Sequence, residues 1–388
     1  MNRTILLVIA FLAVFAESLL APYYPLYFER VFHIHDANTI GWYIAGCRII
    51  FMAAYPVWAM ISKRYALRDI LVCTQGIAGL ICIVCAYSTD YTFFLVLSLL
   101  MFFFKASYLL IYPHLIKKSS SRYKEISFLG VILNVGMVTS AFASSWWIGQ
   151  FQIQSLFFII AAFDFLQMIF SYCFLKREHL DIVSEKQKHP SLTIDTALLM
   201  RIGSLTLFLY LLSTTLRPFY TEFILSQKIY THSILQAGCL FILPSFSVII
   251  FYFIFRKGND SISNATLMFV TVLFIATIYV QQYEMPFILN CLIRISYGFF
   301  LFYLCVYLDM TFFSSVENIH ASVWYGLIHT IQNVAYLAAP LYAGYQIEIY
   351  GLGAQFDIAF IFSLIFLSIV IVTSISFKSK QHKYESFR

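Results

Sequence analysis

Seven ionisable side chains stand deep inside long apolar runs: Glu17, Arg48, Lys105, Asp164, Arg217, Arg294 and His329. Arginine carries a planar fork of donors that matches carboxylate and phosphate groups two bonds at a time. Arg48, Arg217 and Arg294, with Lys105 as a further cation, are therefore candidates to hold an anion. Glu17, Asp164 and His329 are of the types that carry protons, because burial and neighbouring charges move their titration toward neutral pH. Covalent and metal chemistry find no matching pattern: the eight cysteines are scattered, and the CxxC of Cys82 and Cys85 has no second pair nearby. No His/Asp/Cys cluster has the spacing of a catalytic or metal site, and no Walker A sequence is present. The expectation is a protein that is not an enzyme and needs no cofactor.

Arg217 stands in LSTTLRPFYTEF (212–223), directly before Pro218. A charge at the centre of a bilayer costs roughly 2.5–3.5 kcal/mol on insertion scales, so an intramembrane arginine is a functional candidate by default. Two pairings could reduce the seven charges to structural ties, Glu17 with Arg48 and Asp164 with Lys105. Even then Arg217 and Arg294 have no carboxylate at their depth, because Glu222 and Asp309 lie nearer the ends of their spans. A water-filled cavity and an anionic ligand then satisfy both. Tyr24, Tyr220 and Tyr297 accompany them as candidate lining for a ligand with bulk.

The elements that must position these groups follow from composition. Hydrophobic residues make up 61% of the 388, charged residues only 11%, and mean hydropathy is +0.81. Such a chain is an integral membrane protein. Apolar runs broken by short charged islands predict twelve helical spans, at about 4–28, 39–61, 69–87, 92–116, 127–149, 155–175, 196–225, 232–255, 263–281, 286–309, 323–345 and 355–377. The polar stretch 176–195 divides the chain into a first half (1–175) and a second half (196–388). Eighteen Lys and Arg fall at the termini and in the loops on their side, against Arg30 and Lys228 in the loops opposite. That bias places both termini in the cytoplasm, and it accounts for the net charge of +6 without a nucleic-acid partner. Residues 1–16 resemble a signal peptide, but cleavage there would destroy the first span, so they read as an uncleaved helix. The expected location is a bacterial cytoplasmic membrane, with the protein a monomer. From the helical rise, Arg48, Arg217 and Arg294 lie roughly 12–14 Å below the outer end of their spans, and Glu17 and Lys105 slightly deeper.

The two halves repeat. LAPYYPLYF (20–28) and LRPFYTEFI (216–224) share Leu, Pro and Tyr at an offset of 196, and AGC recurs at 45–47 and 237–239. Gly130, Ile132 and Val138 fall opposite Gly326, Ile328 and Val334. This is the parallel-repeat plan of transporters that rock around a central site.

At this point the chain resembles the major facilitator superfamily over nearly its full length. PVWAMISKRYALRDIL (56–71) is similar to the family's signature after span two, keeping Pro56, Ser62, Arg64 and Arg68, with Ala59, Lys63 and Ala66 where the family has glycines and an acid. RISYG (294–298) resembles its Arg-x-x-x-Gly motif, and the Gly-Pro antiporter motif is missing from span five. The resemblance implies two six-helix bundles, a gating role for Arg64 and Arg68, and a central cavity lined by spans 1, 4, 7 and 10. Glu17, Lys105, Arg217 and Arg294 occupy those spans, one each. The expected function is proton-coupled secondary transport of a small or medium organic anion, with a polycarboxylate or citrate-type siderophore as the finer expectation and uptake favoured over export. The alternatives are an exporter of drugs or metabolites on the same fold and, more remotely, a membrane-embedded enzyme or a transporter-like receptor.

Overall fold

Inside lipid every backbone amide must find its partner within the chain, and the described residues meet that demand with helices alone. The computed structural model describes residues 3–111, 115, 122–177, 196–255, 264–315 and 321–385. At 122–128, 196–199, 252–255, 264, 313–315, 321–327 and 373–385 it describes backbone only. The helices are α1 (Arg3–Ser18), α2 (Tyr24–Phe32), α3 (Ala37–Ile61), α4 (Leu67–Ala86), α5 (Tyr91–Lys105), α6 (Arg122–Ile148) and α7 (Leu156–Phe174). The second half holds α8 (Thr196–Thr215), α9 (Tyr220–Leu225), α10 (Ile234–Phe255), α11 (Asn264–Val280), α12 (Phe287–Ser315), α13 (Ala321–Tyr350) and α14 (Ala354–Glu385). Two of the rods are broken, α1/α2 and α8/α9, so the fourteen pieces make the twelve expected spans. Nine stretches among the described residues are long and apolar enough to cross a membrane.

The breaks have a local cause. Proline lacks the amide hydrogen a helix needs and crowds the preceding turn. Pro22 opens a short 3-10 turn (Ala21–Tyr23), and Pro25 stands in the first turn of α2. Pro218 interrupts the seventh rod in the same way, so that Tyr24 and Tyr220, equivalent by the repeat, each begin the second piece of their rod. Arg217 therefore sits in a break, its amide bonded to Thr214 O at 3.2 Å. Elsewhere ends are capped in the ordinary way: Asp36 accepts from the Asn38 amide at the start of α3, and Asp90 from the Phe93 amide at the start of α5.

Packing follows one pattern twice. In the first half α1 lies on α6 and α7, α4 on α5 and α7, and α3 on α5; in the second half α8 lies on α13 and α14, α11 on α12 and α14, and α10 on α12. Each half has its own aromatic core. Tyr27, Phe28, Tyr43, Phe94 and Phe157 fill one, and Tyr220, Phe274, Phe356 and Phe366 the other. Two crossings join the halves, α3 with α13 and α6 with α10, and these are equivalents of each other under the repeat.

Those crossings close one end of the molecule. The chain makes an even number of passes, so both termini share a face, and the seal lies on the opposite, far face. There Gly41 and Gly344 let backbones meet. A Cβ on Gly41 would lie 2.6 Å from Pro340 O, and one on Gly344 would lie 2.5 Å from Ala37 O. At the companion crossing Gly238 abuts Ser145 and the Tyr23 hydroxyl. The Tyr23 hydroxyl lies 2.6 Å from Ser145 Oγ and 3.1 Å from Ile234 O, and the Thr221 hydroxyl donates to Pro22 O across the halves. Because the obstruction at Gly344 is backbone, it cannot rotate away. Gly344→Val should wedge the far face apart, read as a longer spin-label distance between Tyr87→Cys and Ile229→Cys than in the labelled parent.

Candidate functional site

Below the seal, the two halves each present one guanidinium to open space. Arg48 projects from α3 with half of its side chain exposed (50%) and lies 3.9 Å from Glu17 Oε1 on α1. Glu17 accepts a second bond from the Tyr108 hydroxyl at 3.1 Å. Arg48 also faces the ring of Tyr336, on α13 of the other half, at 5.9 Å. Arg217, in the break of the seventh rod, is exposed as well. Its Nη2 reaches Met137 Sδ on α6 at 3.5 Å, and its guanidinium lies 6.0 Å from the Phe241 ring on α10. Arg48, Arg294, Tyr336 and Tyr297 lie within electrostatic reach of it. The site thus holds cations from both halves around Tyr336, with Glu17 as the acid paired to one of them.

The other candidates lie behind this wall. Lys105 and Asp164 bond to each other at 2.7 Å, both fully buried, and the Cys82 thiol lies 3.4 Å from the same carboxylate. A small cavity within the first half is lined by Glu17, Tyr24, Tyr43 and Lys105. Arg294 was expected to lack a partner, and it has several, none of them an acid. It donates from Nε to Leu240 O at 3.0 Å and from Nη1 to Gln281 Oε1 at 2.9 Å, and it stacks on Tyr220 at 3.8 Å and Tyr297 at 5.3 Å. It is 4% exposed, so carbonyl dipoles and ring faces, with no ion of opposite charge, hold it. Tyr220 and Tyr297 are committed to this cage. His329 is exposed and bonded to Gln332, one turn further along α13. Near the termini, Arg68 stacks on Tyr172 at 4.6 Å and Arg64 is exposed in the turn before α4.

Sequence reasoning passed over Tyr336, Met137 and Phe241. None carries charge, and only the crossing of α3 with α13 and of α6 with α10 reveals that they border the two arginines.

The geometry can be set beside known proteins. The family model of the Major Facilitator Superfamily matches residues 6–340. The chain belongs to the Major Facilitator Superfamily. No curated protein matches it. Among solved structures it is similar to a bacterial homologue of the human lysosomal transporter Spinster, described as inward-facing and occupied (TM-score 0.73, 12% identity, covering 96% of each chain). It is similar also to the nucleoside transporter NupG (TM-score 0.72, 15% identity, 96% of this chain and 99% of that one). The human organic anion transporter MFSD10 matches as well (TM-score 0.66, 16% identity, 95% and 98%). At these identities the likeness concerns the fold, a superfamily transporter with two six-helix bundles.

The two arginines that rank together by sequence should separate by stability. Arg294→Met removes two charge-assisted bonds and leaves two acceptors unpaired, a loss of roughly 3 kcal/mol or more. Its melting temperature in detergent should fall well below that of the parent. Arg217→Met removes an exposed cation from a wet wall and should leave the melting temperature unchanged.

Proposed function

We propose that this superfamily member is a secondary transporter that carries an organic anion together with protons by alternating access. The observation that carries the reading is the pair Arg48 and Arg217, one from each half, exposed at mid-membrane with Glu17 as the one acidic neighbour among the described residues. A ligand bearing carboxylate or phosphate would bond to both halves at once and so draw them together, which is how a bound substrate can promote the change of access. A polycarboxylate is the finer reading, because it offers a separate group to each guanidinium. Arg294 and Lys105 contribute positive field from behind the wall without touching the ligand. The two halves, 1–175 and 196–388, are the rocking bodies, and 176–195 is the tether between them.

Glu17 is the coupling group. With the ligand absent, Arg48 is its ion-pair partner; an anion that takes Arg48 frees Glu17 to carry the proton that travels with it. Asp164 and His329 are secondary, since Asp164 is held by Lys105 and His329 by Gln332. The lysine and arginine bias puts the terminus-bearing face in the cytoplasm, so the conformation sealed at the far face is inward-facing. The missing Gly-Pro motif favours uptake.

The test is a thermal-shift screen of the purified protein against carboxylates, phosphate esters and metal chelates, followed by flux of the best binder in proteoliposomes. Arg48→Ala and Arg217→Ala should each reduce flux at least about tenfold, the loss of one charge-assisted bond, and Lys at either position should restore it in part. Normal flux in both alanine variants would remove the anion site. Glu17→Gln should keep exchange of labelled for unlabelled ligand while losing accumulation driven by a pH gradient.

A further inference from the structure

Ala37, the first residue of α3, is met twice by the other half. Its carbonyl faces α13 at Gly344, where an added Cβ would come within 2.5 Å of Ala37 O. Its amide donates to Glu348 Oε2, also on α13, at 2.9 Å. The two contacts have one cause. Residues four apart share a helix face, so the glycine lets the backbones meet and the next turn of α13 brings a carboxylate to the same residue. The bond crosses the seam between the halves.

A helix start leaves four amides without partners inside the helix. A carboxylate is a favoured acceptor there, because it also meets the positive end of the helix dipole. At α3 two acids divide this task. Asp36, from the first half, accepts from the Asn38 amide at 2.9 Å and from the Thr39 hydroxyl, and Glu348, from the second half, accepts from the Ala37 amide. The start of α10, the equivalent of α3 under the repeat, is capped differently. Ser233 N–H donates to Gln236 Oε1 at 2.9 Å and Gln236 N–H to Ser233 Oγ at 3.2 Å, a capping box closed within one half. A cap taken from across the seam is therefore a property of the α3–α13 crossing and not of the shared architecture.

We propose that Glu348 is the latch of the far-face gate: its bond to Ala37 is made only while α3 and α13 are closed on each other, and it holds the ligand-free protein inward-facing. The bonds of Asp36 lie within the first half and persist whether the gate is open or closed. An interaction present in one state alone shifts the balance between states, and one present equally in both shifts nothing. Opening the far face returns the Glu348 carboxylate and the Ala37 amide to water. Glu348 is itself exposed, so the bond acts at a wet rim, where one charge-assisted bond changes the open-to-closed ratio about tenfold. Glu348 is thus a positioning residue that touches no ligand. This inference rests on the alternating-access reading but not on the identity of the ligand or of the coupling ion.

The experiment uses the full chain carrying Met137→Cys, a position beside Arg217 in the gap below the seal. A membrane-impermeant maleimide is added to sealed vesicles with the far face outward, without ligand. The labelling rate at that position, read by mass spectrometry of its peptide, follows the fraction of molecules open to the far side. Glu348→Ala should label about tenfold faster than the Met137→Cys parent. Glu348→Gln keeps an acceptor oxygen and should label more slowly than Glu348→Ala. Asp36→Ala should lower the melting temperature, as loss of a cap does, and label no faster than the parent. A parental rate in Glu348→Ala overturns the latch. Equal acceleration in Asp36→Ala also overturns it, by assigning the effect to a frayed α3. Gly344→Val separates failure of the latch from failure of the reading beneath it. Rapid labelling there beside a parental rate in Glu348→Ala removes the latch and leaves alternating access standing; no far-side labelling in any variant removes both.

Discussion

A cation at mid-membrane must be paired, caged or wetted, and this chain uses all three solutions within one layer. Lys105 is paired, held by Asp164 at 2.7 Å inside the first half. Arg294 is caged, by a carbonyl, an amide oxygen and two aromatic rings inside the second. Arg48 and Arg217 are wetted, exposed between the halves. The first two solutions allow each bundle to be a rigid body with a polar bolt through it. The third is tolerable only if the bundles leave a gap, so the wet arginines and the cavity require one another.

Much of this was legible in the sequence. Twelve spans, their division into two sets and the repeat at 196 all appear in the structure, down to the matched breaks before Tyr24 and Tyr220. The pairings Glu17–Arg48 and Lys105–Asp164 could also be named, as opposite charges inside spans of one half. What a sequence does not encode is azimuth within a bundle. Arg294 and Arg217 lie at one depth on rods expected to line the cavity, yet one points into the bundle interior and the other into the gap. Counting carboxylates also missed Arg294's partners, since backbone carbonyls and tyrosine rings satisfy a guanidinium and leave no trace as opposite charge. Tyr336 was hidden for the complementary reason: an uncharged residue acquires its place only from the crossing of α3 and α13.

The repeat also clarifies how an asymmetric site arises on a symmetric frame. Packing partners, crossings and prolines obey the twofold pattern, because each bundle must solve the same problem of burying aromatic faces and bending a rod. The charged residues do not obey it. Glu17 aligns with Ser213, Arg217 with Ala21 and Arg294 with Ser98. Duplicated structure supplied the symmetric frame, and unpaired substitutions on it supplied the charges.

The close backbone contact at Gly41 and Gly344 has an electrical meaning as well. Where glycine lets one backbone touch another, there is no room for a water column, so the seam acts as an insulating wall. On the alternating-access reading proposed above, the space beyond it opens to the terminus-bearing side and shares that side's potential. A membrane voltage therefore falls mainly across that septum, a focused field worth about 2.3 kcal/mol per elementary charge for every 100 mV. Arg48 and Arg217 stand at the edge of this field without moving through it. In the proposed alternating access the septum dissolves and re-forms on the opposite side, so the field sweeps past the charges rather than the charges through the field.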